Sequence, residues 1–114
     1  MDKRITKIGR GSMSIEEREI RSNLAQLIGD RGIVRGSLVT REKVCGKTNC
    51  KCARGERHIA QYLVMSQDGK KRQLFVPAEM EAQVRRWLDN YRLAQQSLEE
   101  ICNINWERLE KRER

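Results

Sequence analysis

The sequence predicts an α+β fold: a small three-stranded antiparallel sheet with a metal-binding loop, an N-terminal helix and a long C-terminal helix. Three observations carry this. Apolar residues recur at helical spacing early and late in the chain, but alternate with polar ones in between. Three thiols and the only histidine, Cys45, Cys50, Cys52 and His58, follow the pattern C-x4-C-x-C-x5-H. Asp68-Gly69 then stands between two β-rich runs, and a tight hairpin turn needs residues that tolerate positive φ.

The 114 residues, 38% of them hydrophobic, support one small domain with a modest core, for which a metal would be a useful staple. Domain organisation is expected to be a basic arm over 1–12 and a single domain over 13–114. Met1-Asp-Lys-Arg-Ile-Thr-Lys-Ile8 has no apolar run and no small-residue cleavage site. The expectation is therefore a cytoplasmic protein with reduced thiols. No apolar stretch approaches the ~18 to 20 residues of a membrane span.

The arm carries Lys3, Arg4, Lys7 and Arg10 with Gly9 and Gly11, and reads as flexible. Ser14-Ile-Glu-Glu17 has the S-x-x-E form of a capping box, in which hydroxyl and carboxylate satisfy helix amides reciprocally. A helix is expected over about 14–28, with Ile20, Leu24, Leu27 and Ile28 as its apolar stripe and Gly29 as its left-handed end. After Gly32 the period becomes two. Val34, Gly36, Leu38, Thr40 and Val44 fall on one side, and Arg35, Ser37, Val39, Arg41 and Lys43 on the other, a strand with a basic outer face.

The cysteine loop follows, and Ile59-Ala-Gln-Tyr-Leu-Val-Met65 gives the second strand. The Asp68-Gly69 turn leads to a third over 72–76, so that sheet and loop together occupy about 33–76. Pro77 suits the first turn of a helix, where its missing amide hydrogen costs nothing. From there to the end, with no further Gly or Pro, a helix is expected over about 77–110. Met80, Val84, Trp87, Tyr91, Ala94, Leu98 and Ile101 alternate by four and three, the seam of a coiled coil or of a helix packed on a partner. Asn103 and Asn105 are poor helix formers, so Trp106 and Leu109 read as a separate turn or a frayed end. The seam needs a cover: the first helix folded back, a second copy in a homodimer, or a partner protein.

Thiolates and imidazole suit zinc, and a closed four-ligand set is structural, with no open position for catalysis. Zinc on Cys45, Cys50, Cys52 and His58 is the expected cofactor. Cys102 could replace His58 if the long helix crosses the loop, and the bland alternative is reduced thiols packed as small apolar groups. Thiol-redox chemistry is the sharpest enzymatic reading, since nearby cations lower a thiolate pKa. It is disfavoured because the motif is not C-x-x-C at a helix N-terminus and a C-x-C disulfide would be strained. One histidine and no paired-carboxylate or nucleophile set leave little for acid–base work, so no enzyme activity is expected.

Charge points to a partner. Residues 31–72 hold eleven Lys or Arg against three acids, while the rest of the chain is balanced at thirteen of each, so the whole formal charge of +8 lies in the segment of the cysteine loop. That is the footprint of a polyanion-binding face. The candidate contacts are Arg35, Arg41, Lys43, Lys47, Lys51, Arg54, Arg57, Lys70, Lys71 and Arg72. One Phe, two Tyr and two Trp give little sign of stacking platforms, so duplex DNA is the expected nucleic acid.

The motifs Arg35-Gly-Ser-Leu-Val39, Cys45-Gly-Lys47, Cys50-Lys-Cys52-Ala-Arg-Gly55, His58, Tyr62, Asp68-Gly69-Lys70, Val76-Pro77 and Arg86-Trp87 resemble those of a family of small uncharacterised prokaryotic proteins. That family is marked by an R-G-S-L strand and a CGKxxCxCxxG loop, and the resemblance runs over roughly 31–109. Ile59-Ala60 departs from the Gly-Pro that often follows the histidine in such proteins. Some members are associated with mobile genetic elements, so the resemblance implies a cytosolic accessory of transposition, recombination or regulation, without an established activity. The expected function is thus a zinc-stapled DNA-binding accessory. The alternative is an adaptor acting through its long helix, with no nucleic-acid binding.

Overall fold

The structure, a computed structural model, describes residues 8–43 and 58–111. The chain forms a 3-10 turn at Arg10–Ser12, α1 (Ile15–Asp30), β1 (Ser37–Lys43), β2 (His58–Gln67), β3 (Lys70–Val76), a second 3-10 turn at Ala78–Met80, and α2 (Glu81–Glu110). The expected helix–sheet–helix order is present. Strand order is β1-β2-β3, antiparallel throughout.

The chain separates into two compact units, and α2 contributes to both. The first unit holds α1 and α2 from Arg92 onward. Ser14 caps α1, its hydroxyl accepting from the Glu17 amide at 3.0 Å. The reciprocal half of the capping box is absent, because the Glu17 side chain is fully buried and committed elsewhere. Its carboxylate accepts from Arg21 Nε at 2.9 Å and is clasped by the Arg108 guanidinium near the far end of α2.

Arg108 also donates to Asn105 Oδ1 at 2.8 Å and to the Ser12 carbonyl at 3.1 Å. The end of the basic arm is thereby tied to α2. This clasp explains one departure from expectation. Helix α2 does not fray at Asn103 and Asn105 but runs through Trp106 and Leu109 to Glu110, since a tertiary ion pair outweighs the weak propensity of two asparagines. Helix α1 passes Gly29 and ends only at Arg31, whose backbone is extended (φ −118°, ψ 145°); Gly29 is an ordinary helical residue.

A groove of about 290 Å³ between these helices is lined by Asn23, Gln26, Leu27, Arg31, Leu93 and Ser97. Glu17 meeting Arg108 while Leu27 and Arg31 lie near Leu93 makes the pair antiparallel. The first helix is therefore a cover for the second half of α2. Ile20, Leu24 and Leu27 are half-buried, as the stripe requires, but Ile28 is exposed.

The second unit, Ile33–Tyr91, holds the sheet and the first turns of α2. Its core is small: Tyr62, Val76 and Val84 are buried. Asp68 and Gly69 both take positive φ (52° and 75°), as a primed two-residue turn requires, and this pairs Gln67 with Lys70. Gly36 has φ +151°, and a Cβ there would lie 2.8 Å from the Val64 carbonyl oxygen. Only glycine fits, which gives the R-G-S-L motif a physical reason. The same residue breaks the alternation, so β1 starts at Ser37 and Arg35 lies outside it. Nearby, the Val34 amide donates to the Trp87 carbonyl at 3.2 Å and ties the approach to β1 to α2.

Candidate nucleic-acid interface and metal loop

Register assigns the basic residues to their places. Ser37 pairs with Val64, Val39 with Tyr62 and Arg41 with Ala60; across β2, Val64 pairs with Gln73 and Tyr62 with Phe75. Directly paired residues share a face. One face therefore carries the row Ser37–Val64–Gln73, then Val39–Tyr62–Phe75, with Arg41 toward one end and Lys71 toward the other.

The described basic residues of the sheet do not share one face. Lys70 and Arg72 alternate with Lys71 and fall on the opposite face. Arg35 folds toward the hairpin end, donating to the Ser66 carbonyl at 3.0 Å. Arg41 and Lys71 stand opposite Ala60 and Ser66, six positions apart along β2, which is ~20 Å at strand rise. The described cations thus gather toward the two ends of the sheet: Arg35, Lys70, Lys71 and Arg72 around the hairpin, and Arg41 toward the other end. Lys70, Lys71 and Arg72 are exposed and form no ion pair among the described residues; Arg72 donates to Gln67 Oε1 at 3.1 Å.

Between the two groups lies a feature not anticipated. Tyr62 and Phe75 meet edge to face, ring centroids 5.8 Å apart at 67°, and the Arg41 guanidinium sits 5.3 Å from the Tyr62 centroid. Tyr62 is buried, whereas Phe75, on edge strand β3, is 54% exposed. The signal was in the sequence. A two-residue loop at Asp68-Gly69 fixes the pairing of every residue on either side of it, Tyr62 with Phe75 included.

Cys45, Cys50, Cys52, Lys47, Lys51, Arg54 and Arg57 lie in 44–57, outside the described residues. Lys43 pairs with His58, so the histidine opens β2, and the three thiols lie in the stretch of sequence between β1 and β2. Among the described residues no three His, Cys, Asp or Glu come together. Cys102, the alternative fourth ligand, is exposed on α2 with a free thiol.

The α2 seam divides. Val84 and Ala94 are buried, Tyr91 and Ile101 half-buried, while Met80, Trp87 and Leu98 are exposed. Leu98, Trp106 and Leu109, spaced by eight and three, make a separate exposed stripe in the second half of α2.

The electrostatics of the first unit contrast with the sheet. The Arg108 hydrogen bond foremost, with help from Arg21, holds the Glu17 carboxyl below its ordinary range against the opposing pull of burial.

Residues 13–86 match the model of a domain of unknown function, DUF6788. The chain belongs to that family. The DUF6788 match takes in α1, the loop and the whole sheet, and stops in the first turns of α2, so the Glu17–Arg108 clasp joins a residue inside the match to one beyond it. No curated protein and no solved structure matched the chain. Among the described residues, no helix is long and apolar enough to cross a membrane.

Proposed function

We propose that this protein is a zinc-stapled nucleic-acid-binding accessory module, not an enzyme, whose basic sheet unit meets a phosphate backbone. The observation that carries this reading is the coincidence of the chain's entire net charge with residues 31–72, together with the exposed Lys70, Lys71 and Arg72 at the hairpin. Phosphate contacts need cations not neutralised by neighbouring acids, and those three have no acidic partner among the described residues. Zinc, held by Cys45, Cys50, Cys52 and His58, would fix β1 to β2 and orient the cations of the loop. The resemblance to a family with members on mobile elements suits a role beside transposition or recombination.

A second reading rests on Leu98, Trp106 and Leu109. An exposed apolar stripe of this kind suits an adaptor that docks a second copy or another protein. If it does, Leu98→Lys with Trp106→Lys shifts sedimentation or partner capture and leaves nucleic-acid binding alone.

Fluorescence anisotropy of the zinc-loaded protein against random-sequence duplex and single-stranded DNA, across a salt series, tests the first reading. Binding whose log affinity falls linearly with log salt supports it. No binding at low salt, or binding without a salt slope, refutes it.

A further inference from the structure

We infer that the face of the sheet bearing Phe75 binds unpaired bases, so that the preferred target is single-stranded nucleic acid and not the duplex expected from composition. This rests on the nucleic-acid reading above and sharpens its substrate class.

Composition argued against stacking because the chain has few aromatics. Placement matters more than number. A base needs one exposed π face held on a rigid support, with cations near enough to follow the backbone. Phe75 supplies the π face: it is half exposed on an edge strand and is braced on its inner side by the edge-to-face contact with buried Tyr62. Arg41, stacked on Tyr62, reinforces that support from the loop end. The ring is 54% exposed and so is not enclosed by the core that holds Tyr62.

The neighbours complete the site. Gln73, exposed and two positions away on the same strand and face, places a donor–acceptor amide beside a base stacked on Phe75. Lys71, two positions further, and Arg41 on the other side put cations at both ends of the platform, the arrangement a strand of phosphates crossing the sheet would meet. Duplex DNA could use the cations but not the ring, because its base faces are already stacked on each other. Single strands present theirs.

The test uses the zinc-loaded full chain and three probes of one sequence: a single-stranded DNA 12-mer, the matching RNA and the DNA duplex. Phe75→Leu keeps apolar bulk next to Tyr62 but removes the π face, and Phe75→Trp restores it. Wild type should bind the single strands more tightly than the duplex. Phe75→Leu should weaken single-strand binding by about tenfold with an unchanged salt slope, leave duplex binding as it was, and be rescued by Phe75→Trp. Ultraviolet crosslinking of a 5-iodouracil-substituted strand should attach to Phe75. Duplex preference in the wild type, or equal single-strand affinity for Phe75→Leu, overturns the inference while leaving the nucleic-acid reading standing. Absence of salt-dependent binding to every probe overturns both.

Discussion

The two units of this chain handle charge in opposite ways. In the first, charges are consumed internally: Glu17, fully buried, is satisfied by Arg21 and Arg108, and its carboxyl is held below the usual range. In the second, Arg35, Arg41, Lys70, Lys71 and Arg72 of the sheet region form no ion pair among the described residues, while Arg85 pairs with Glu81 at 2.8 Å on α2. Arg35 bonds a backbone carbonyl, Arg41 covers a ring, and Lys70, Lys71 and Arg72 point to solvent. A small protein gains little stability from exposed like charges, and self-repulsion opposes compaction. Buried charge in the first unit holds structure, whereas the exposed cations of the sheet are the ones that the proposed function assigns to a phosphate backbone.

Metal removal should break the contrast most severely. A structural zinc contributes on the order of 10 kcal/mol to folding, so a chelator should abolish the β signal in circular dichroism of the sheet unit and leave much of the helical signal. Cys50→Ser should do the same, with loss of bound zinc by metal analysis. Folded, metal-free protein would remove zinc from the account.

Next in size is the clasp. Glu17→Ala leaves Arg108, only 16% exposed, without its carboxylate, and should lower stability to denaturant by about 3 kcal/mol. Nucleic-acid affinity should not change. The pH dependence has a definite sign. Because folding lowers the Glu17 pKa below its ordinary value of 4.5, its contribution is fully present above that pH and is lost as pH falls through the folded-state value. Wild type and Glu17→Gln should therefore converge in melting temperature at acid pH and separate at neutrality. A constant difference across the range would show that the loss comes from packing alone.

Gly36→Ala is expected to cost about 2 kcal/mol, from positive φ and a close approach to the Val64 carbonyl together. The loss should appear in the sheet unit. Smallest in stability, and largest in binding, is Lys70→Gln with Lys71→Gln and Arg72→Gln. Thermal stability should move by less than about 0.5 kcal/mol, while the slope of log affinity against log salt should fall by about 2 to 3. An unchanged slope would place the phosphate contacts elsewhere.

How much of this was legible beforehand follows from the range of the forces involved. Local signals were read well. Ser14 capped α1, Asp68-Gly69 made the turn, and the 3.6 and 2.0 periodicities gave three strands and two helices in order. Signals that depend on distant partners were not. Nothing near Glu17 in sequence announces Arg108, ninety-one positions away, so the carboxylate was assigned to its own helix cap, and within a helix expected to about 110 Trp106 and Leu109 were read as a separate turn or a frayed end. Likewise the seam from Met80 to Ile101 was read as one surface. Its exposed and buried members alternate because α2 serves the sheet unit in its first turns and packs on α1 in its second half. Arg35 falls outside the expected strand for a third reason, because Gly36 interrupts it and β1 starts at Ser37. The Tyr62–Phe75 pair was available from turn length and register, but counting aromatics hid it.

Hydrogen exchange of the zinc-loaded protein with and without a saturating single-stranded oligonucleotide tests the central contrast most directly. Slowed exchange confined to residues 33–76, strongest in β3 and the hairpin, with α1 and residues 92–110 unchanged, is the predicted result. Protection confined to α1 and the second half of α2, or no change anywhere, would contradict it.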